Sequence, residues 1–325
     1  MSNPRGRFIF CFAALIAAMF TFPALAQTWP AKPIRLIVPY PPGGITDIVT
    51  RYLADRLRPV LGQPVLVENK AGANGIVGTE MAKNSAPDGY TFVYTAVSSI
   101  CIPPHIVEKL PYDGLRDFAP VTQTGVTVLA MVVSPALKVN NVAEFIALAK
   151  ANPGKASYAS FGTGGSSHIF GEMLKGLAGI DMTHVPYKGS GPAAQDVMAG
   201  HAMMGIVDLA GAGPGLRSGA LVGLAVTGTQ RWPLFPEIPT FAEQGSPLDM
   251  TGWNGVLAPA GTPRAIVERM GAEINRIIQT PEGREQILKF GLLVTGTTTE
   301  EFSAIIRRDT ARWGEVIRKA GIKAD

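Results

Sequence analysis

The chain has 325 residues, 46% of them apolar, and a formal net charge of +4. So slight a charge, with no run of five or more Lys or Arg, speaks against a nucleic acid, a polyanion or a membrane surface as partner. The length exceeds that of a usual single domain and suffices for an ordinary hydrophobic core.

At the start, Arg5 and Arg7 precede an apolar run over residues 8–22, and Pro23 and a closing Ala-Leu-Ala lead to Ala26. This is the three-part pattern of a secretory signal peptide, residues 1–26, with cleavage expected before Gln27. The run is about 15 residues, short of the roughly 20 that span a bilayer as a helix; a retained anchor is the alternative. Cleavage takes Arg5 and Arg7 from the 29 basic residues, leaving 27 against 25 acidic ones. It also removes Cys11, so Cys101 stands alone and no intramolecular disulfide is expected.

Short β-rich runs then alternate with helical stretches, the mark of an α/β fold with mainly parallel sheets. Strands are expected at 34–38, 65–68, 90–95, 127–133, 156–160, 183–185, 203–208, 222–227 and 254–258. After the first strand, Ile48, Val49, Tyr52, Leu53, Leu57 and Val60 recur at the spacing of one helix face. Later helices carry start signals: Asn141 with Glu144, Thr262 as N-cap before Pro263, and Thr298 with Glu301. The charged residues of the C-terminal helical part fall on solvated faces, so that part reads as packing. Two lobes are expected, one from residues 27–124 plus 252–325 and the other from 125–251. The proline-rich T-G-T-Q-R-W-P-L-F-P-E-I-P-T reads as a stiff crossing between them. Two covalent crossings make a hinge that closes on a ligand while limiting twist.

The first strand leaves through V-P-Y-P-P-G-G-I-T-D. Gly43 and Gly44 let backbone N–H groups approach a ligand, and a helix N-terminus adds unpaired donors with partial positive charge. Pro42 stiffens that corner. A plain turn with Thr46 as N-cap is the structural alternative, and Asp47 suits the helix dipole at least as well as a ligand. Residues 158–170, Y-A-S-F-G-T-G-G-S-S-H-I-F, repeat the device with Phe161, Gly162, Thr163, Gly164, Ser166, Ser167 and His168. Two such corners facing across a cleft suit a small anion, particularly a dicarboxylate. Thr95, Ser98 and Ser99 end another strand, and Tyr187, Lys188 and Gly189 mark a further strand-to-helix junction. Asp208 ends M-M-G-I-V-D, either capping local N–H groups or meeting a ligand ammonium or hydroxyl.

Catalytic patterns are missing. G-T-G-G-S-S-H lacks the glycine of a nucleophile elbow, no Walker lysine follows a glycine loop, and the four histidines are scattered. No catalytic residue, metal or cofactor is expected.

The segments P-A-K-P-I-R-L-I-V-P-Y-P-P-G-G-I-T-D, V-E-N-K-A-G-A-N-G-I-V-G-T-E, A-P-D-G-Y-T, L-P-Y-D, V-P-Y-K-G-S-G-P-A and P-T-F-A-E-Q-G closely resemble the periplasmic substrate-binding proteins of tripartite tricarboxylate transporters, the Bug family. The resemblance covers nearly the whole mature chain. It implies a two-lobed, type II periplasmic-binding-protein fold in the periplasm, with a small carboxylate in the cleft and membrane transporter subunits as partners of a monomer. It places ligand contacts at residues 40–47, including Tyr40, at 95–99, 161–168 and 187–189, and at Asp208. Where many members carry a His-Ala-Ile-Asn-Pro-like segment, this chain has Ile100, Cys101, Ile102, Pro103 and Pro104, and Leu209 and Ala210 follow Asp208. Both departures suggest a more apolar cleft and a smaller or partly hydrophobic carboxylate. An exported α/β enzyme acting on a small acid, or a sensor subunit for a membrane kinase, are the alternative functions.

Overall fold

The run I-R-L-I-V forms strand β1 (Ile34–Val38), whose Ile34, Leu36, Ile37 and Val38 are fully buried. Each such side chain contributes roughly 1.5–3 kcal/mol of burial, which puts the strand inside a sheet rather than at its edge. The computed structural model describes residues 29–322, so the expected leader lies outside the described residues. From Lys32 on, the chain forms one compact unit with two sheets.

In the first sheet, β1 lies between β2 (Val65–Asn69) and β3 (Thr91–Ala96), parallel to both. Its helix α1 (Ile45–Leu61) buries Val49, Tyr52, Leu53 and Leu57, and in the last turn the buried position is Leu61, with Val60 40% exposed. Helices α2 (Ile76–Lys83) and α3 (Val97–Ile100) follow their strands. The chain then enters β4 (Phe118–Thr127), and after Val128 alone it enters β5 (Leu129–Val133) of the second sheet. Helix α4 (Val142–Ala151), β6 (Ser157–Ser160), α5 (Ser166–Ala178), β7 (Thr183–Pro186), α6 (Ser190–Met198), β8 (Met204–Asp208), α7 (Leu209–Ser218) and β9 (Val222–Val226) complete that half. Strand β10 (Gly252–Pro259) returns to the first sheet, followed by α8 (Arg264–Gln279), α9 (Pro281–Lys289), β11 (Leu293–Val294) and α10 (Thr299–Ala320). The strand orders are β11-β4-β10-β3-β1-β2 and β7-β6-β8-β5-β9.

The sheets are mixed rather than mainly parallel. Strand β10 runs antiparallel to β3 and β4, and β5 antiparallel to β8 and β9. A strand arriving directly from the other half has no crossover helix tying it to parallel pairing. The expected run at 127–133 breaks at Val128 and misses most of strand β4. Its Thr122, Gln123 and Thr124 look like loop residues but are buried and satisfied: the Thr122 hydroxyl donates to Asn275 Oδ1 (2.7 Å), the Gln123 N–H to Thr297 Oγ1 (2.9 Å), and the Thr124 hydroxyl pairs with that of Tyr94 (2.7 Å).

The segment at 227–240 is not a crossing. Trp232, Phe235 and Ile238 anchor it in the core of the second half, and backbone bonds tie Val226 to Pro239 and Phe241 (2.9 Å each). Of the expected caps, Asn141 Oδ1 accepts the Glu144 N–H (2.8 Å) and Thr298 forms a full capping box with Glu301. Thr262 does not cap: α8 starts after Pro263, and the Thr262 hydroxyl donates back to the Pro259 carbonyl (2.7 Å). Helix α10 reaches both halves, with Trp313 edge-on to Phe170 (centroids 5.8 Å apart) and Arg312 paired with Asp249 (2.8 Å).

Candidate functional site

Four helices begin with a glycine that supplies no side-chain cap: Gly44 before α1, Gly75 before α2, Gly165 before α5 and Gly189 before α6. The starts of all four border one cavity of about 810 Å³, represented there by Gly44 and Ile45, by Gly75, by Ser166, and by Gly189 and Ser190. A bare helix start offers N–H donors and partial positive charge, so the cavity concentrates donors without concentrating cationic side chains. Gly44 needs no special backbone (φ −80°, ψ 169°), and a Cβ there would meet only the Pro41 carbonyl, at 4.0 Å. Its side chain is therefore missing where the fold has room for one. Gly43 is different: its φ of +85° itself calls for glycine.

Of the residues singled out above, the first corner contributes Tyr40, Pro42, Gly43, Gly44 and Thr46 to the cavity wall, and β3–α3 contributes Ser98. The second half contributes Phe161, Gly162, Thr163, Ser166, Tyr187, Lys188, Gly189 and Asp208. The hydroxyls of Ser98 and Ser166, from opposite halves, stand 3.5 Å apart. Thr46 is not the N-cap: α1 already starts at Ile45, and Thr46 sits in the first turn with its carbonyl accepting the Thr50 hydroxyl (2.6 Å).

Asp47, Thr95, Ser99, Gly164, Ser167 and His168 lie behind that wall. Asp47 accepts the Gly43 N–H (2.9 Å) and the amide of Asn69 (2.9 Å), and pairs with Arg51 (2.9 Å). Burial alone would raise its pKa, yet hydrogen bonds from Arg51, Gly43 and Asn69 hold the carboxyl below its ordinary range. The second corner is braced likewise, Ser167 Oγ accepting the Phe161 N–H (3.1 Å) and His168 Nδ1 the Gly164 N–H (3.2 Å). His168 stacks on His184 (4.2 Å), whose Nε2 meets Ser160 Oγ (2.6 Å) while that oxygen accepts the Gly162 N–H (3.2 Å). Burial and the neighbouring His168 push His184 down to about 4. The Thr95 and Ser99 hydroxyls bond each other beside Tyr40, whose phenol burial pushes up to about 12.

Asp208 performs the local role. It caps α7 by accepting the Gly211 N–H (2.9 Å) and takes the Ser190 hydroxyl (2.7 Å); burial, opposed by these bonds, raises its pKa. The Tyr187 hydroxyl is engaged with Asp196 (2.6 Å). Ile100 and Pro103 are buried but do not line the cavity, so they do not make the cleft apolar; Ala210 does line it. Apolar wall comes instead from Ile45, Val97, Leu129, Phe161 and Met198.

The cavity also holds residues that sequence reasoning passed over. Ala73 and Asn74 both have positive φ (44° and 49°), and the Asn74 amide nitrogen lies 3.3 Å from where a Cβ on Gly165 would be. Thr127 and Asn254 line the floor where chain passes between the sheets. The N-K-A-G-A-N-G run was visible as a motif, but Asn254, in the middle of a buried strand, gave no local signal.

Residues 49–322 match the profile of the tripartite tricarboxylate transporter family receptor. The chain belongs to this family. Protein BugT of Bordetella pertussis is 36% identical over 317 residues, covering 97% of this chain and 96% of BugT. Among solved structures, a Rhodopseudomonas palustris protein with adipate is 30% identical, with a TM-score of 0.87 over 91% of this chain and 99% of its own. MatC from Rhodopseudomonas palustris, with bound malate, is 27% identical, with a TM-score of 0.83 over 89% of this chain and 100% of its own. The protein therefore has the bilobed α/β periplasmic-binding-protein fold, and it is a periplasmic transport receptor of the tripartite tricarboxylate type.

Proposed function

We propose that the protein captures a small carboxylate between lobes made of residues 27–124 plus 252–325 and of 125–251, and delivers it to membrane transporter subunits. The observation that carries this reading is the convergence of four uncapped, glycine-led helix starts on one cavity. An anionic oxygen seated there accepts the N–H groups that a Ser, Thr or Asp side chain would otherwise cap. The wall residues Ser98 and Ser166 add hydroxyls, and bridging water completes such contacts at little cost. Asp208, on the same wall, is already engaged with Ser190 and Gly211. The apolar wall fits an acid with a hydrocarbon stretch. The dicarboxylates adipate and malate bound to the two relatives lie in the same chemical class.

The test is a thermal and calorimetric titration of the processed protein with short mono-, di- and tricarboxylates. A bound acid at about 100 times its dissociation constant should stabilise the fold by about 2.7 kcal/mol. Citrate outcompeting the shorter acids would overturn the preferred class, and no response to any acid would overturn the carboxylate reading.

A further inference from the structure

Asn254 occupies an unusual place in the cavity floor. It is 1% exposed, and its amide nitrogen has no hydrogen-bond partner. Its backbone is fully engaged, since β10 is paired on both sides and the Thr124 hydroxyl donates to the Asn254 carbonyl (3.0 Å). Across the sheet its neighbours are Ala96 on β3 and Gly125 on β4. Neither carries a polar side chain, so nothing beside Asn254 answers the amide. The other buried polar atoms without a partner, among the described residues, include the hydroxyl of Tyr40, a wall residue whose phenol lies beside Thr95 and Ser99, and the indole nitrogens of Trp232, Trp253 and Trp313, none of which belongs to the cavity wall. A buried amide left unpaired destabilises the fold, a cost that a bound polar group removes.

We infer that Asn254 is a direct ligand contact that reads a second polar group of the acid, a carboxylate or hydroxyl remote from the carboxylate held at the glycine-capped helix starts. The inference rests on the carboxylate reading above. Asn254 sits on β10 two residues after that strand begins, and β10 pairs with β4, the strand that leads into the second sheet. A ligand bonded there touches the strands that join the two halves as well as the helix starts. Asparagine suits the task because its amide donates to a carboxylate and accepts from a hydroxyl without adding charge.

The probes are adipate and hexanoate, equal in length and differing in the second carboxylate, titrated into the processed protein by calorimetry. The wild-type protein should bind adipate more tightly by about tenfold or more, the scale of one charge-assisted bond. Asn254→Leu should weaken adipate by about 10–100-fold, leave hexanoate within about threefold, and raise the ligand-free melting temperature because the orphaned amide is gone. Asn254→Asp, nearly isosteric, should repel the second carboxylate and weaken adipate more than hexanoate. Equal weakening of both acids, or an unchanged ratio, overturns the assignment while leaving the carboxylate reading intact. If the wild-type protein binds neither acid the assignment fails, and the carboxylate reading fails with it only if the titration with mono-, di- and tricarboxylates is silent as well.

Discussion

Helix starts at the cavity differ from most of those away from it, α8 with its uncapped start after Pro263 being the exception. Away from the cavity, Asn141 caps α4, Thr280 caps α9 and Thr298 caps α10, each with a side-chain oxygen on the N–H three residues on. At the cavity, α1, α2, α5 and α6 start from Gly44, Gly75, Gly165 and Gly189 with no such oxygen. The outer helices thus spend their end donors on stability, and the cavity helices keep theirs for something from outside. Helix α7 lies between the two cases, since it borders the cavity yet carries its own carboxylate cap in Asp208. The residues behind the wall fit the same picture: Asp47, Ser167 and His168 take up the N–H groups of the glycine loops and hold the corners in shape.

The sharpest way to break this contrast is to give a cavity helix a cap of its own. Gly44→Asp should leave the melting temperature unchanged or slightly raised, because Asp replaces Gly at an N-cap with a gain of a few tenths of a kcal/mol. The same change should lower carboxylate affinity by about 100-fold or more, since an opposing charge occupies the anion position. Calorimetry and a melting curve on one sample read both effects; retained affinity would show that the start of α1 takes no part in binding. Gly44→Val tests space rather than charge. Its backbone suits valine and nothing crowds the Cβ, so folding should persist while affinity falls by roughly tenfold to 100-fold.

The outer caps should respond in the opposite way. Thr298→Ala should cost about 1 kcal/mol in denaturant unfolding, the usual price of an N-cap, with the dissociation constant unchanged. A shift in affinity would mean that α10, which touches both halves, also governs closure.

The mildest handle is pH. The folded protein keeps His184 neutral down to about 4, whereas the unfolded chain protonates it near 6.5. Above 6.5 both states are neutral and nothing is lost; as pH falls from 6.5 towards 4 only the unfolded state gains the proton, so stability declines. Asp47, with its lowered pKa, adds a loss at still lower pH, and Asp208, with its raised one, acts in the opposite sense. Melting curves from pH 7 to 4.5 should slope downward, and His184→Gln should flatten part of that slope.

The strand positions were largely readable because burial of runs such as I-R-L-I-V and M-G-I-V-D is a property of the run itself. Strand β4 was not, because its buried Thr122, Gln123 and Thr124 depend on Asn275, Thr297 and Tyr94 from distant segments. The proline-rich stretch at 227–240 misled for a similar reason: stiffness is local, but the core that receives Trp232, Phe235 and Ile238 is not. At the site, both glycine corners were legible, yet local pattern could not separate wall residues such as Thr46 and Ser166 from braces such as Asp47 and Ser167. Asn254 was out of reach altogether.

By itself, then, the sequence determined the alternation of strands and helices, the two glycine corners, the caps at Asn141 and Thr298 and the family, since each is written within a dozen or so residues. Only the tertiary structure decided that the bare helix starts at Gly75 and Gly189 join those corners, that Asp47 and His168 face their own loops, and that Asn254 meets the cavity unpaired. Those outcomes depend on which distant segments pack together, and a buried polar group takes its meaning from the partner it finds or lacks.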